Sequence, residues 1–252
     1  MKKIALILSV LLAIFILSGC ERSAEPAIAV SEPMVAEEVS RWDEIVQQNE
    51  LRVGVPSTGS SFDNELIDMF AKELGIPVTK VVIPWDETRS DYLKENQVDL
   101  LWGQIPATSD TSTAFRLSTP YFNSTIAYIS YDPDLILDEN TVIGVIRNSA
   151  EEQTVRSYYP NINTYAGKNE LFAAMAGGSC DVVLYNKDIH EASFQKGNLH
   201  TIKEVPYELV VAFEQNNVSV CTEVEKILAK IKADGSASEI CLRWYPVDLI
   251  TK

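Results

Sequence analysis

Short apolar, β-branched runs alternate along the chain with stretches whose apolar residues recur every three or four positions, and each such stretch carries start and stop signals. No other feature restricts the fold as much. Segment 51–55 (LRVGV) reads as a strand with a buried face, and Val78–Ile83 (VTKVVI) as the next strand, rich in β-branched residues. Between them Phe62, Leu66, Met69, Phe70 and Leu74 share one helical face, opened by a Ser60/Asp63 capping box and stopped by Gly75. Ser40 with Asp43 caps a shorter helix over Arg41–Gln48, and a helix near 88–95 leads into a strand at 98–102. After Tyr131 the alternation resumes with a strand at 142–146, then a helix capped by Ser149 with Glu152 and ending near Tyr159 and Pro160. A helix at 169–176 closes on Gly177 and Gly178, and a buried strand at 181–185 leads to a helix at 188–194. Strands near 200–203 and 209–213 precede two last helices, capped by Thr222 with Glu225 and by Ser236 with Glu239. This order predicts an α/β protein whose mostly parallel sheets are covered on both faces. Two units of about 90 residues each, plus a helical pair, predict two lobes. Periodicity alone does not say which lobe takes the last helices.

The N-terminus addresses the compartment. Lys2 and Lys3 precede an apolar run over 4–17, and Ser18 and Gly19 precede Cys20. That pattern is a secretory signal too short to cross a bilayer as a stable helix. Leu17-Ser18-Gly19-Cys20 resembles a bacterial lipobox. The resemblance implies a signal peptide over 1–19, cleaved before a lipidated Cys20 that holds the mature chain on the periplasmic side of the inner or outer membrane. Residues 20–40, rich in Ala, Glu, Ser and Pro, read as a tether. A flexible segment of that length reaches about 25 Å.

The net charge of −15 becomes about −17 when Lys2 and Lys3 leave with the signal, which disfavours nucleic acid and anionic membrane surfaces as partners. Cys180, Cys221 and Cys241 remain after Cys20. In an oxidising compartment Cys221 and Cys241, near two consecutive helices, are the pair expected to bridge. No C-x-x-C or H-x-x-x-H spacing calls for a metal, and His190 and His200 are isolated. No cofactor is implied.

Segments 42–55 (WDEIVQQNELRVGV), 62–74 (FDNELIDMFAKEL) and 93–104 (LKENQVDLLWGQ), with LSTPY at 117–121 and DGSASEICLRW at 234–244, resemble landmarks of the extracellular solute-binding proteins of family 3. These are the polar amino-acid receptors of ABC importers. The resemblance runs from Trp42 to Pro246 and implies a two-lobed periplasmic-binding-protein fold of type II. Each lobe would be a mixed sheet flanked by helices, with a two-strand hinge closing over a small-molecule solute. Lobe 1 would comprise 41–128 plus 215–252, and lobe 2 129–214. An ABC permease or an envelope sensor would be the partner of a monomer.

The binding apparatus departs from that family. Thr108-Ser109-Asp110-Thr111 has Thr111 where the family carries an arginine fork for an α-carboxylate. Asn186 stands where the family places an acid for the ligand's ammonium, and a short loop at 56–61 replaces an aromatic hairpin. The expected lining is Trp85, Trp102, Gly103, Gln104, Thr108, Thr111, Asn148, Ser149, Tyr185 and Asn186, suited to a neutral, polar or aromatic-bearing solute. Core packing is the competing role of each tryptophan, and helix capping that of Ser149. Binding without chemistry is the leading reading, so no enzyme is expected. A non-transport interaction or sensor module with a degenerate cleft is the alternative. A dehydratase-like enzyme, relying on acids such as Asp86 or Glu87, comes third. Lytic transglycosylases with such lobes carry a further catalytic domain, and only eight residues follow Trp244.

Overall fold

Capping and burial place the first helices and strands where periodicity puts them. The computed structural model describes residues 39–57, 59–86, 88–188 and 198–250. The signal, Cys20 and most of the tether lie outside the described residues, as do Glu87, His190 and nearly all of the helix expected at 188–194. Helix α1 (Arg41–Gln48) starts on Ser40, whose hydroxyl accepts from the Asp43 amide. Strand β1 (Leu51–Pro56) lies between two parallel neighbours, β2 (Val78–Ile83) and β3 (Leu100–Leu101), so it is buried on both faces. Gly54 permits this packing, since a Cβ there would stand 2.8 Å from Leu101 Cδ2 and 3.1 Å from Ile83 Cδ1. Helix α2 (Ser61–Leu74) stops at Gly75, whose φ of 78° suits a residue without Cβ.

The first sheet runs β2–β1–β3–β10–β4, with β4 at Arg116–Leu117 and β10 at Ala212–Phe213 antiparallel to both β3 and β4. Helices α3 (Arg89–Lys94) and α4 (Ser109–Ala114) connect its strands. Buried Asp99 fastens α1 to this sheet, accepting from the Arg52 amide at 2.7 Å, the Arg52 guanidinium at 2.9 Å and Arg41 at 2.5 Å.

The second sheet runs β7–β6–β8–β5–β9. Its parallel half is β6 (Ile143–Ile146), β7 (Ile162–Tyr165) and β8 (Val182–Asn186), flanked by α5 (Ala150–Arg156) and α6 (Lys168–Ala176). Two long strands, β5 (Phe122–Ser130) and β9 (His200–Leu209), pair antiparallel from Phe122↔Leu209 to Ser130↔His200. The chain passes between the sheets at Ser118–Tyr121 and at Val210–Val211, side by side. There the Ser118 amide donates to Val211 O, the Val211 amide donates to Ser118 Oγ, and the Tyr121 amide donates to Leu209 O. Helices α7 (Val218–Ala233) and α8 (Ser236–Trp244) return to pack on α2, so the trailing pair joins the first lobe.

Four expectations are corrected. Residues 122–128 belong to the second sheet, and 212–213 to the first, because β5 pairs with β8 and β10 with β3. Strand β9 runs on through 204–209, beyond the strand expected near 200–203, and Pro206 is accommodated because β9 is an edge. Thr222 does not cap α7: the helix already begins at Val218, and Thr222 Oγ1 donates back to Val218 O at 2.9 Å. The Cys221–Cys241 bridge is not formed. Both are free thiols, with Cys221 facing the Leu117 carbonyl at 3.9 Å and Cys241 receiving the Leu249 amide at 3.2 Å. Among the described residues no helix is long and apolar enough to cross a membrane.

Candidate functional site

The ends of β5 and β9 nearest the crossings line a space between the two sheets. Phe122, Tyr207 and Leu209 line a cavity of about 330 Å³ together with Ser60, Asp63, Gln104 and Tyr245 from the first lobe and Arg147 to Glu151 and Asn186 from the second. Four of the expected residues, Gln104, Asn148, Ser149 and Asn186, therefore meet around one cavity, although they come from three separate loops and strand ends. The aromatic floor is closely knit: Phe122 lies 5.6 Å from Tyr245 and 6.4 Å from Tyr207, ring centre to ring centre.

Helix α5 points its first turn at this cavity. Ser149 caps this start, its Oγ accepting from the Glu152 amide at 3.1 Å, and Glu152 Oε2 accepts from the Asn148 amide just before the helix at 2.5 Å. Asn148 holds a φ of 60° in the left-handed region, a conformation asparagine tolerates. Asn186 is buried, with its Oδ1 accepting from Ser124 Oγ at 2.7 Å.

Two carboxyl groups face the same cavity, and both are pushed above the usual carboxylate range by burial. Asp63 receives hydroxyl bonds from Ser60 at 2.6 Å and Tyr121 at 2.7 Å, which partly offset that shift. Glu151 is half-buried, and its Ser149 contact offsets its own shift in part. Sequence reasoning took Asp63 only as a capping residue and did not single out Glu151. Their approach across the cleft depends on how the two sheets meet, which no local pattern encodes.

Gly103, at a φ of 107°, ends β3, where a Cβ would stand 3.3 Å from Pro56 Cδ and 3.6 Å from Asp63 Oδ2. Thr108 and Thr111 line a neighbouring space of about 460 Å³ instead, with Thr108 Oγ1 2.8 Å from Thr111 Oγ1 at the start of α4. Three expected residues are core. Trp102 is wholly buried against Phe70 and Tyr121, 5.3 and 5.6 Å away by ring centres. Tyr185 is buried edge-on to Phe172 at 5.5 Å inside the second lobe. Trp85 packs with Leu93, Val98 and Phe115 beneath Arg89. Large rings at strand ends fill the space between sheet and helices before they can overhang a cleft. Of the acids named for catalysis, Asp86 is exposed and held below its usual range chiefly by Thr88.

Comparison with known proteins gives this arrangement a family. The L-cystine-binding protein TcyA of Bacillus subtilis (strain 168) is 25% identical over 277 residues, covering 99% of each chain. A substrate-binding protein of an ABC uptake transporter from Streptococcus pneumoniae with bound histidine has a TM-score of 0.64 at 17% identity, over 84% of this chain and 98% of that one. A solute receptor for L-cysteine of Neisseria gonorrhoeae has a TM-score of 0.63 at 18% identity, over 83% and 98%. Both likenesses carry the fold: two mixed sheets with helices on their faces. A family model matches residues 58–247, most of both lobes and both crossings, and on that match the chain belongs to the bacterial extracellular solute-binding proteins, family 3.

Proposed function

We propose that this protein is the membrane-anchored solute receptor of an ABC importer, capturing a small polar solute between its lobes. The observation that supports this most is the cavity lined by the ends of β5 and β9 and by residues of both lobes. A solute there touches both lobes at once, so closing on it is favoured over closing empty. Cys20 carries the lipid, 20–40 is the tether, and the lobes hinge at the two crossings. Gln104, Asn148, Ser149 and Asn186 supply amide and hydroxyl contacts, and Glu151 meets a donor-rich group of the solute. Relatives named for L-cystine, histidine and L-cysteine make a solute of amino-acid size and polarity the natural occupant. The contacts still differ from the usual zwitterion pattern, with Thr111 and Asn186 at the two charge-bearing positions. Acid–base chemistry is a poorer fit, because both oxygens of Asp63 already accept hydroxyl protons and only Glu151 is left to act.

Native mass spectrometry of protein purified without denaturation tests the reading. One retained small mass is expected, released by urea and restored by adding back the released fraction. A chain that carries no such mass, and whose melting temperature no amino acid or cell extract fraction moves, would refute it.

A further inference from the structure

The space beside the cleft holds an arginine with no ion-pair partner among the described residues. Arg89, at the start of α3, is half-buried, with its guanidinium 5.5 Å from the Trp85 ring centre and 5.7 Å from that of Phe115. Among the described residues no acid forms an ion pair with it, and burial draws it below its ordinary value despite nearby Asp86. The other charges lining this 460 Å³ space are already engaged. Asp110 accepts the Ser157 hydroxyl, and Arg156 pairs with Glu152. Two hydroxyls, Thr108 Oγ1 and Thr111 Oγ1, line the same space, and only one of the pair can donate to the other. Gln153 enters from α5 of the opposite lobe. Its Nε2 donates to Gln104 O at 3.2 Å, while its Oε1 is buried without a partner.

We infer that Arg89, with the Thr108 and Thr111 hydroxyls, forms a receiving site for the carboxylate of a small solute, and that Gln153 Oε1 takes an N–H from the same solute. The planar guanidinium lies over the Trp85 and Phe115 rings, which limits its freedom before a solute binds. A desolvated cation without a counter-ion gains more from an incoming anion than an exposed one does. The unpaired Gln153 oxygen favours a solute whose carboxylate sits near a nitrogen donor. Because the walls come from α3 and α4 on one side and α5 on the other, occupancy pulls the lobes together. This rests on the reading that a solute enters between the lobes, and it adds which residue meets the solute's negative end.

Sodium acetate is the probe, matched for ionic strength with sodium chloride. The four tryptophan indole N–H resonances of the isotope-labelled chain are followed by NMR. A saturable shift of the Trp85 resonance is expected in the wild type. Arg89→Gln should weaken it by about tenfold or more, as expected for losing a charge-assisted contact. Thr111→Val, which keeps the guanidinium and nearly the same volume, should weaken it by about threefold and guards against an Arg89 variant that does not fold. No saturable shift in the wild type overturns the assignment, as does an equal shift in Arg89→Gln. A retained solute mass with no acetate response sinks this site and leaves the receptor reading standing. An acetate response with no retained mass does the reverse.

Discussion

Asp63 shows how much one side chain draws from a distant neighbour. It begins as a capping acid for α2, but its second oxygen receives the hydroxyl of Tyr121, fifty-eight positions on, at the first crossing. Burial raises its folded value above the unfolded one of about 3.9. The stability this provides is complete below the ordinary carboxylate range and is lost as pH climbs through the folded value. Asp63→Asn removes the titration, so its urea-unfolding free energy should fall less between about pH 4 and about pH 8 than that of the wild type. Coincident slopes would mean that Asp63 does not titrate anomalously. Gly54 is a second such residue. Gly54→Ala forces its methyl against Leu101 and Ile83 and should cost about 1–3 kcal/mol in the same assay. The Ser60/Asp63 spacing was legible in the chain. The Tyr121 contact and the Gly54 crowding were not, because both arise only where separate strands are brought together.

At the scale of elements, α7 and α8 behave as a unit that the cysteines do not cross-link. Cys241 lies under the C-terminal segment, and Cys221 faces Leu117 at the end of β4. Titrating a chain spanning 39–252 with a thiol reagent in denaturant should count three free thiols, with no change in gel mobility on reduction. Two missing thiols would restore the bridge. Contacts that do join α7 to the crossing come from Glu225, which accepts from the Thr119 hydroxyl at 2.8 Å, and Lys232, which donates to Pro120 O at 3.1 Å. Strands buried on both faces were easy to read, since parallel pairing demands unbroken apolar runs. The long pair β5 and β9 was hard to read. FNSTIAYIS mixes hydroxyls into its apolar pattern, and β9 carries Lys203, Glu204 and Pro206, all acceptable on an edge strand and misleading when read alone.

At the scale of the whole molecule, the side-chain bonds between the lobes include Ser157 donating to Asp110 and Gln153 donating to Gln104 O. Such exposed or half-buried bonds are worth about 1 kcal/mol each, so they bias closure without locking it. Replacing Ser157 and Gln153 together by alanine should enlarge the radius of gyration in small-angle scattering and speed release of a retained solute by about tenfold. Unchanged scattering curves and release rates would mean that closure depends on the solute alone. What the chain by itself determined was local: the capped helices and the doubly buried strands follow from neighbours a few residues apart. Only the tertiary structure decided that Trp102 and Tyr185 are core, that Glu151 faces the cleft beside Asp63, and that Arg89 stands beside Thr111. Those outcomes depend on two sheets docking across a pair of crossings, where residues from both halves compete for the same desolvated space.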